Sequence, residues 1–168
     1  MNLNNNITTN LHDAIEFSNG ERERLGDNQI FPNHIVLGMM RLTDCSALNI
    51  LIKLGVDLNI LKKKLEEIKN IDVIATNTTS LHRTTESLLL LANLEARLSQ
   101  SPEVHTYHLI MAILRQQNTE LVKLFNELDV NNFFIPPEMI ESESRYGYNE
   151  LCVTVDKTPD YIFIRDNR

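Results

Sequence analysis

The strongest constraint on this 168-residue chain is that most of it is written twice. His34 and His108 lie 74 positions apart, and at that one offset Ile15 meets Leu89, Glu21 meets Glu95 and Ile30 meets Val104. Ile35 likewise meets Leu109, Met39 meets Ile113, Met40 meets Leu114, Leu51 meets Phe125, Leu54 meets Leu128 and Val56 meets Val130. No gap is needed from Thr8 to Val130. A repeated unit of this size cannot bury its apolar face alone, so two copies are expected to pack face to face about a pseudo-twofold axis.

The period of the apolar residues makes each copy helical. Leu11, Ala14, Ile15 and Ser18 share one face of a helix from about Thr9 to Leu25. Thr8 is its expected N-cap, because a hydroxyl can accept from an unpaired amide of the first turn. Gly26 and Asp27 end it, and Asn28 to Phe31 form a short extended piece. Pro32 opens a second helix, where a missing amide proton costs nothing. Its apolar side is Ile35, Val36, Met39, Met40 and Leu42. Asp44 is the expected cap of a third helix with Ala47, Leu48, Leu51 and Ile52 inward, closed by Gly55. Asp57 caps a fourth carrying Leu58, Leu61, Leu65 and Ile68.

After the Thr-rich stretch 70–80 the pattern restarts. A helix from about Arg83 to Ser99 carries Leu88, Leu89, Ala92 and Ala96; Pro102 breaks it and Val104 lies in an extended piece. The next, about Thr106 to Gln116, carries Leu109, Ile110, Ile113 and Leu114. Asn118 is the expected cap of a seventh, with Leu121, Leu124, Phe125 and Leu128. Asn131 could cap an eighth, but Pro136 and Pro137 remove amide donors, so that helix is short or the chain turns away. The expected organisation is a tail at 1–7, a first repeat at 8–69, a linker at 70–80, a second repeat at 81–135 and an extension at 136–168.

The chemistry of the chain narrows what it does. A net charge of −7 without a basic run argues against nucleic acid, which needs clustered Lys and Arg. Lys62, Lys63 and Lys64 stand beside Glu66 and Glu67 and read as a solvated helix face. The first ten residues lack the basic start and apolar stretch of a signal peptide, and no apolar run reaches a membrane span, so the expected compartment is the cytoplasm. Cys45 and Cys152 are isolated and read as reduced thiols, Cys45 as a small buried hydrophobe. His12, His34, His82, His105 and His108 form no His-x-x-x-His pair and have no neighbouring Cys. We expect no metal and no cofactor, and a structural role for His34 and His108 at the two equivalent helix starts. Met39, Met40 and Met111 read as core, and Glu21, Glu23, Glu66 and Glu67 as solvent-facing.

The repeated phrase carries a family resemblance. Asn33-His34-Ile35-Val36-Leu37-Gly38-Met39-Met40 and Tyr107-His108-Leu109-Ile110-Met111-Ala112-Ile113-Leu114 both resemble the Glu-His-Leu-Leu-Leu-Gly-Leu-Leu phrase of the Clp N-terminal repeat. Leu25-Gly26, Glu95-Ala96-Arg97 and Leu54-Gly55-Val56-Asp57 are similar to that family too. The likeness runs from about Ile7 to Asn131 and is to the version at the front of ClpC- and ClpA-type AAA+ unfoldases. It implies an all-α, eight-helix, pseudo-twofold bundle without enzymatic activity that receives protein substrates and adaptors for an ATPase ring. No Gly-x-x-x-x-Gly-Lys-Ser/Thr phosphate loop occurs in these 168 residues, so they cannot hydrolyse ATP by that route. The distinct C-terminal tail favours a stand-alone relative, a regulator or adaptor of a Clp machine, over a detached fragment.

The resemblance also points to a site. In some ClpC-like domains the Glu before the motif His, once per repeat, helps hold a phosphorylated arginine. Those positions here are Asn33 and Tyr107, neither of which is negatively charged. A charge-assisted bond is roughly twice as strong as a neutral one, so the departure weighs against phosphoarginine recognition. The matching helix starts hold Thr8 and His82, of which only Thr8 keeps a hydroxyl. By motif, the candidate binding residues are Thr8, Asn33, His82 and Tyr107, at the repeat junction; an apolar groove between the copies is the other candidate surface.

In the extension, Leu151, Val153 and Val155 alternate with Cys152 and Thr154. Lys157-Thr158-Pro159-Asp160 supplies a turn before Tyr161 to Ile164, so 151–165 reads as a β-hairpin. A lone hairpin is marginal in water, so it should pack on the helices, pair with a second chain or fold on a partner. The expected state is a monomer or weak homodimer. The main reading is therefore a non-catalytic module that binds protein substrates, adaptors or a Clp unfoldase. The alternatives are a structural homodimer held by the hairpin and, third, a metal- or thiol-dependent enzyme using His34, His108 and Cys45 or Cys152.

Overall fold

A computed structural model describes residues 6–71, 81–117 and 119–130. The order of elements is β1 (Asn6–Ile7), α1 (Thr9–Leu25), α2 (Pro32–Met39), α3 (Ser46–Lys53), α4 (Leu58–Glu67), α5 (Arg83–Leu98), β2 (Glu103–Val104), α6 (Thr106–Arg115) and α7 (Glu120–Glu127). The described fold is thus mainly helical, with seven helices. The eighth helix and the hairpin at 151–165 lie outside the described residues, as does the linker from residue 72 on.

The two halves are joined by main-chain pairings that interchange at the 74-residue offset. Ile7 pairs with Val104 in the parallel β1–β2 contact, and Leu81, the counterpart of Ile7, bridges in parallel to Ile30, the counterpart of Val104. The Thr8 amide donates to the Val104 carbonyl at 3.1 Å, and the His82 amide donates to the Ile30 carbonyl at 3.0 Å. A twofold exchange of the copies requires this reciprocity. It explains why Ile30 and Val104 are apolar in both copies, since both are buried between the halves.

Side chains from both copies merge into one core. Leu11, Ala14, Ile35, Met39, Leu51, Leu61 and Leu65 from the first half meet Leu88, Ala92, Leu109, Ile113 and Phe125 from the second. Met39 and Met111 are buried in it, and Met40 packs against it. Gly38 lies where α2 approaches α1 closely: a Cβ there would stand 2.2 Å from the Ala14 carbonyl oxygen. Gly26, at φ +80°, and Gly55, at φ +87°, take the left-handed conformation that ends α1 and α3.

Several local expectations are corrected. Asp44 does not cap α3, which begins one residue later with Cys45 at the N-cap. The orphan amide of Ala47 is met from the other half, by the hydroxyl of Thr106 at 3.3 Å, so tertiary packing replaces a local cap. Cys45 is buried, as expected of a small apolar residue. Within α3, Ala47, Leu48 and Leu51 are buried as expected, but Ile52, expected inward, is exposed, and Ile50 is fully buried instead. Thr119 caps α7, accepting from Val122 at 3.2 Å, in place of Asn118, which lies outside the described residues. Glu21, expected on a solvent face, is buried.

Candidate binding site

The repeat junction consists of two related helix starts, and the four motif residues divide between them. Thr8 stands where α1 leaves the β1–β2 contact, beside the strand that leads into α6 and Tyr107. His82 stands where α5 leaves the Leu81–Ile30 bridge, beside the segment leading into α2 and Asn33. The strand exchange thus associates Thr8 with the Tyr107 end and His82 with the Asn33 end, each pair drawn from both repeats.

Both caps are made, by different chemistry. Thr8 Oγ1 accepts from the Leu11 amide at 3.3 Å. His82 lacks a hydroxyl, but its ring Nδ1 accepts from the Thr84 amide at 3.2 Å and lies 2.8 Å from the Thr84 hydroxyl. The His82 ring also stacks on Phe31, with centroids 4.3 Å apart and planes 26° from parallel. Both caps remain partly exposed. At the counterpart of Phe31 stands His105, whose ring stacks on Tyr107 at 5.4 Å.

Asn33 and Tyr107 point inward. Asn33 is 2% exposed, and its Nδ2 donates to the Leu65 carbonyl at 3.3 Å, tying α2 to α4. Tyr107 is 1% exposed and packs against His105 and His108. The accessible part of each junction is therefore the cap residue, Thr8 or His82, since Phe31 and His105 are buried as well.

His34 and His108 hold the junction in register. Each is the third residue of its helix, and its Nδ1 accepts from the amide of the N-cap residue at 2.9 Å, Phe31 in one case and His105 in the other. With Nδ1 accepting, the neutral ring carries its proton on Nε2. His34 Nε2 lies 2.8 Å from the Asp27 carboxylate, which also accepts from Asn70 Nδ2 at 2.7 Å. His108 Nε2 lies 3.1 Å from Ser99 Oγ. Burial lowers the His34 pKa, against the opposing pull of Asp27. The amide aimed at Nδ1 also fits a neutral ring, since a second ring proton there would face another donor. The expected structural role of both histidines is what the geometry shows.

A second repeated feature escaped the sequence reading. Glu95 is fully buried against the Arg115 guanidinium, and Glu21 and Arg41, the residues 74 positions earlier, stand 3.8 Å apart. Burial raises the Glu95 pKa, and Arg115 draws it back down. Glu21 also holds Arg24 at 2.6 Å, and Arg24 reaches Glu66 at 2.6 Å, which raises the Arg24 pKa. The signal was present: Glu21 and Glu95 match at the offset, and so do Arg41 and Arg115. Asp27 and Ser99 gave no such signal, because the two histidines use different partners.

Among the described residues, His12, Asp13 and Glu16 are the group whose donor atoms come close enough for a metal, all within 4.8 Å. They lie on one turn of α1, with the imidazole 3.6 and 3.9 Å from the two carboxylates. Nothing beyond ordinary surface ion pairing is needed to explain them. No helix among the described residues is long and apolar enough to cross a membrane.

The fold and junction define a duplicated helical domain whose halves exchange short strands at paired helix starts. Comparison with known proteins says which. The profile of the Clp repeat (R) N-terminal domain matches residues 6–128, and the chain belongs to that family. A probable ATP-dependent Clp protease ATP-binding subunit of Chlamydia pneumoniae is 24% identical over 137 residues, covering 80% of this chain and 16% of the relative. The chaperone protein ClpB of Oceanobacillus iheyensis is 28% identical over 127 residues, covering 74% and 16%. The chain therefore spans about a sixth of the length of these curated relatives. A solved structure from work on the ATPase ClpV, the TssB-TssC sheath and the accessory HsiE protein of type VI secretion shares the fold. It superposes with a TM-score of 0.56 at 21% identity, over 73% of this chain and 74% of that one.

Proposed function

We propose that this chain is a receiving module that binds protein substrates or adaptors of a Clp-type unfoldase in the cytoplasm, or regulates such an unfoldase, and performs no chemistry of its own. The observation that carries the reading is the intact two-repeat junction within a family match covering residues 6–128. ATP hydrolysis and proteolysis would belong to partner subunits, since these residues contain no phosphate loop. The docking surface we assign is the pair of junction faces, with Thr8 and His82 accessible and Asn33 and Tyr107 supporting them from inside.

The partly exposed His82 ring, backed by the buried ring of Phe31, suits a flat apolar or aromatic side chain of a client. Loss of the two glutamates leaves these faces without the charge that holds a guanidinium, which favours an unmodified peptide over a phosphorylated arginine. The test is affinity capture from the native lysate with the full chain as bait, followed by mass spectrometry. Recovery of a Clp unfoldase, its protease or unfolded clients, reduced by His82→Ala, is the expected result. Recovery of the bait alone would overturn the reading and leave a conserved fold with other work to do.

A further inference from the structure

The two copies differ on one exposed face. Leu90, Leu94 and Leu98 of α5 are 54%, 48% and 43% exposed, whereas their counterparts in α1 are Glu16, Gly20 and Arg24. The leucines recur every fourth residue and so form one ridge along the helix. Arg83, two turns before Leu90, and Arg97, between Leu94 and Leu98, are both exposed and lie within the same wedge of the helix surface.

We propose that this ridge is the docking surface for the chain's own C-terminal segment, with Leu151, Val153 and Val155 laid along Leu90, Leu94 and Leu98. Three matches support that occupant. The leucines recur about every 6 Å along α5. Alternate residues of an extended strand recur about every 6.6 Å, so three contacts stay in step. Glu150 and Asp156 flank the three apolar residues, and the exposed Arg83 and Arg97 on the ridge's side of α5 carry the opposite charge. Finally, 20 residues separate Val130 from Leu151. They span up to about 66 Å when extended, which exceeds the length of α5, about 24 Å. A hairpin too small to be stable alone would gain an apolar support, and the ridge would gain a cover.

The experiment uses the full chain with Cys45→Ala, so that a spin label attaches only to Cys152. Amide signals of Leu90, Leu94 and Leu98 should lose most of their intensity, and those of Glu16, Gly20 and Arg24 should keep theirs. Leu94→Glu, at an exposed position, should restore the α5 signals while the Ile7 and Val104 shifts stay put, showing that the fold is intact. A second sample mixes spin-labelled chains with isotopically labelled chains that carry no spin label. Broadening of α5 in that sample would make a second copy the occupant and overturn the proposal. Unchanged α5 signals, or equal broadening of α1 and α5, in the first sample would overturn it as well.

Discussion

The carboxylate of Glu95 is wholly buried against the guanidinium of Arg115, joining the end of α5 to the end of α6. Its counterpart, Glu21 with Arg41, joins α1 to the residues after α2 at 3.8 Å, with the Arg41 side chain half exposed. Removing one member of a buried pair strands the other charge. Arg115→Leu should therefore destabilise the chain by roughly 3–5 kcal/mol. Arg41→Leu removes a longer contact in a wetter place, and Glu21 keeps Arg24; it should cost under about 1 kcal/mol. Urea unfolding of the two variants measures the difference, and equal losses would show that burial does not set the value of this pair.

Gly38 lies against α1, with no room for a side-chain carbon between it and the Ala14 carbonyl. Gly38→Ala must push α1 and α2 apart, since the obstacle is backbone and cannot rotate away. The expected loss is about 1–3 kcal/mol, despite the better helix propensity of Ala. The natural chain carries Ala112 at the equivalent place in α6. Ala112→Gly should therefore cost no more than about 1 kcal/mol through helix propensity and a small void. Thermal unfolding of both variants decides whether the two helix pairs are packed differently.

Much of the frame was legible because duplication is a property of sequence. The offset between His34 and His108 places Ile30 and Val104 as equivalents, and both are buried in the strand exchange. Caps supplied within a few residues were readable too, as at Thr8 and Asp57. What was not readable came from across the fold. Asp44 resembles a cap for α3, but the Ala47 amide is served by Thr106 from the other repeat. Glu21 looks solvent-facing until Arg24 and Arg41 close around it. Of the candidate site, the motif located the junction, but not that Asn33 and Tyr107 turn inward or that Phe31 supplies a ring to His82.

The tautomer of His34 makes stability depend on pH in a defined direction. Its folded pKa lies below the ordinary 6.5, because burial disfavours the charged ring by more than Asp27 favours it. The unfolded chain therefore binds the proton first as pH falls. The stabilising contribution is full above 6.5 and is lost as pH drops from 6.5 towards the folded value. The steepest slope from one group is about 1.4 kcal/mol per pH unit. His34→Gln keeps an acceptor for the Phe31 amide but cannot titrate. It should flatten this part of the stability profile, as measured by urea midpoints from pH 7 downwards. A slope unchanged in the variant would mean that other groups cause it.

The two caps offer a way to separate holding the fold from making a surface. Thr8→Ala removes a hydroxyl that accepts from Leu11 and should cost about 1 kcal/mol. His82→Thr places at the second helix start the residue found at the first, so the Thr84 amide keeps an acceptor while the ring on Phe31 disappears. Stability should change by less than about 1 kcal/mol, because one cap replaces another. If clients bind against the Phe31–His82 face, affinity should fall roughly threefold to tenfold, the measure of one lost ring contact. Calorimetric titration with a captured partner, set beside thermal unfolding of the same variant, separates the two effects. A fold that holds while binding weakens assigns His82 to recognition. A loss of stability without a loss of affinity would confine His82 to capping α5 and move the docking surface elsewhere on the domain.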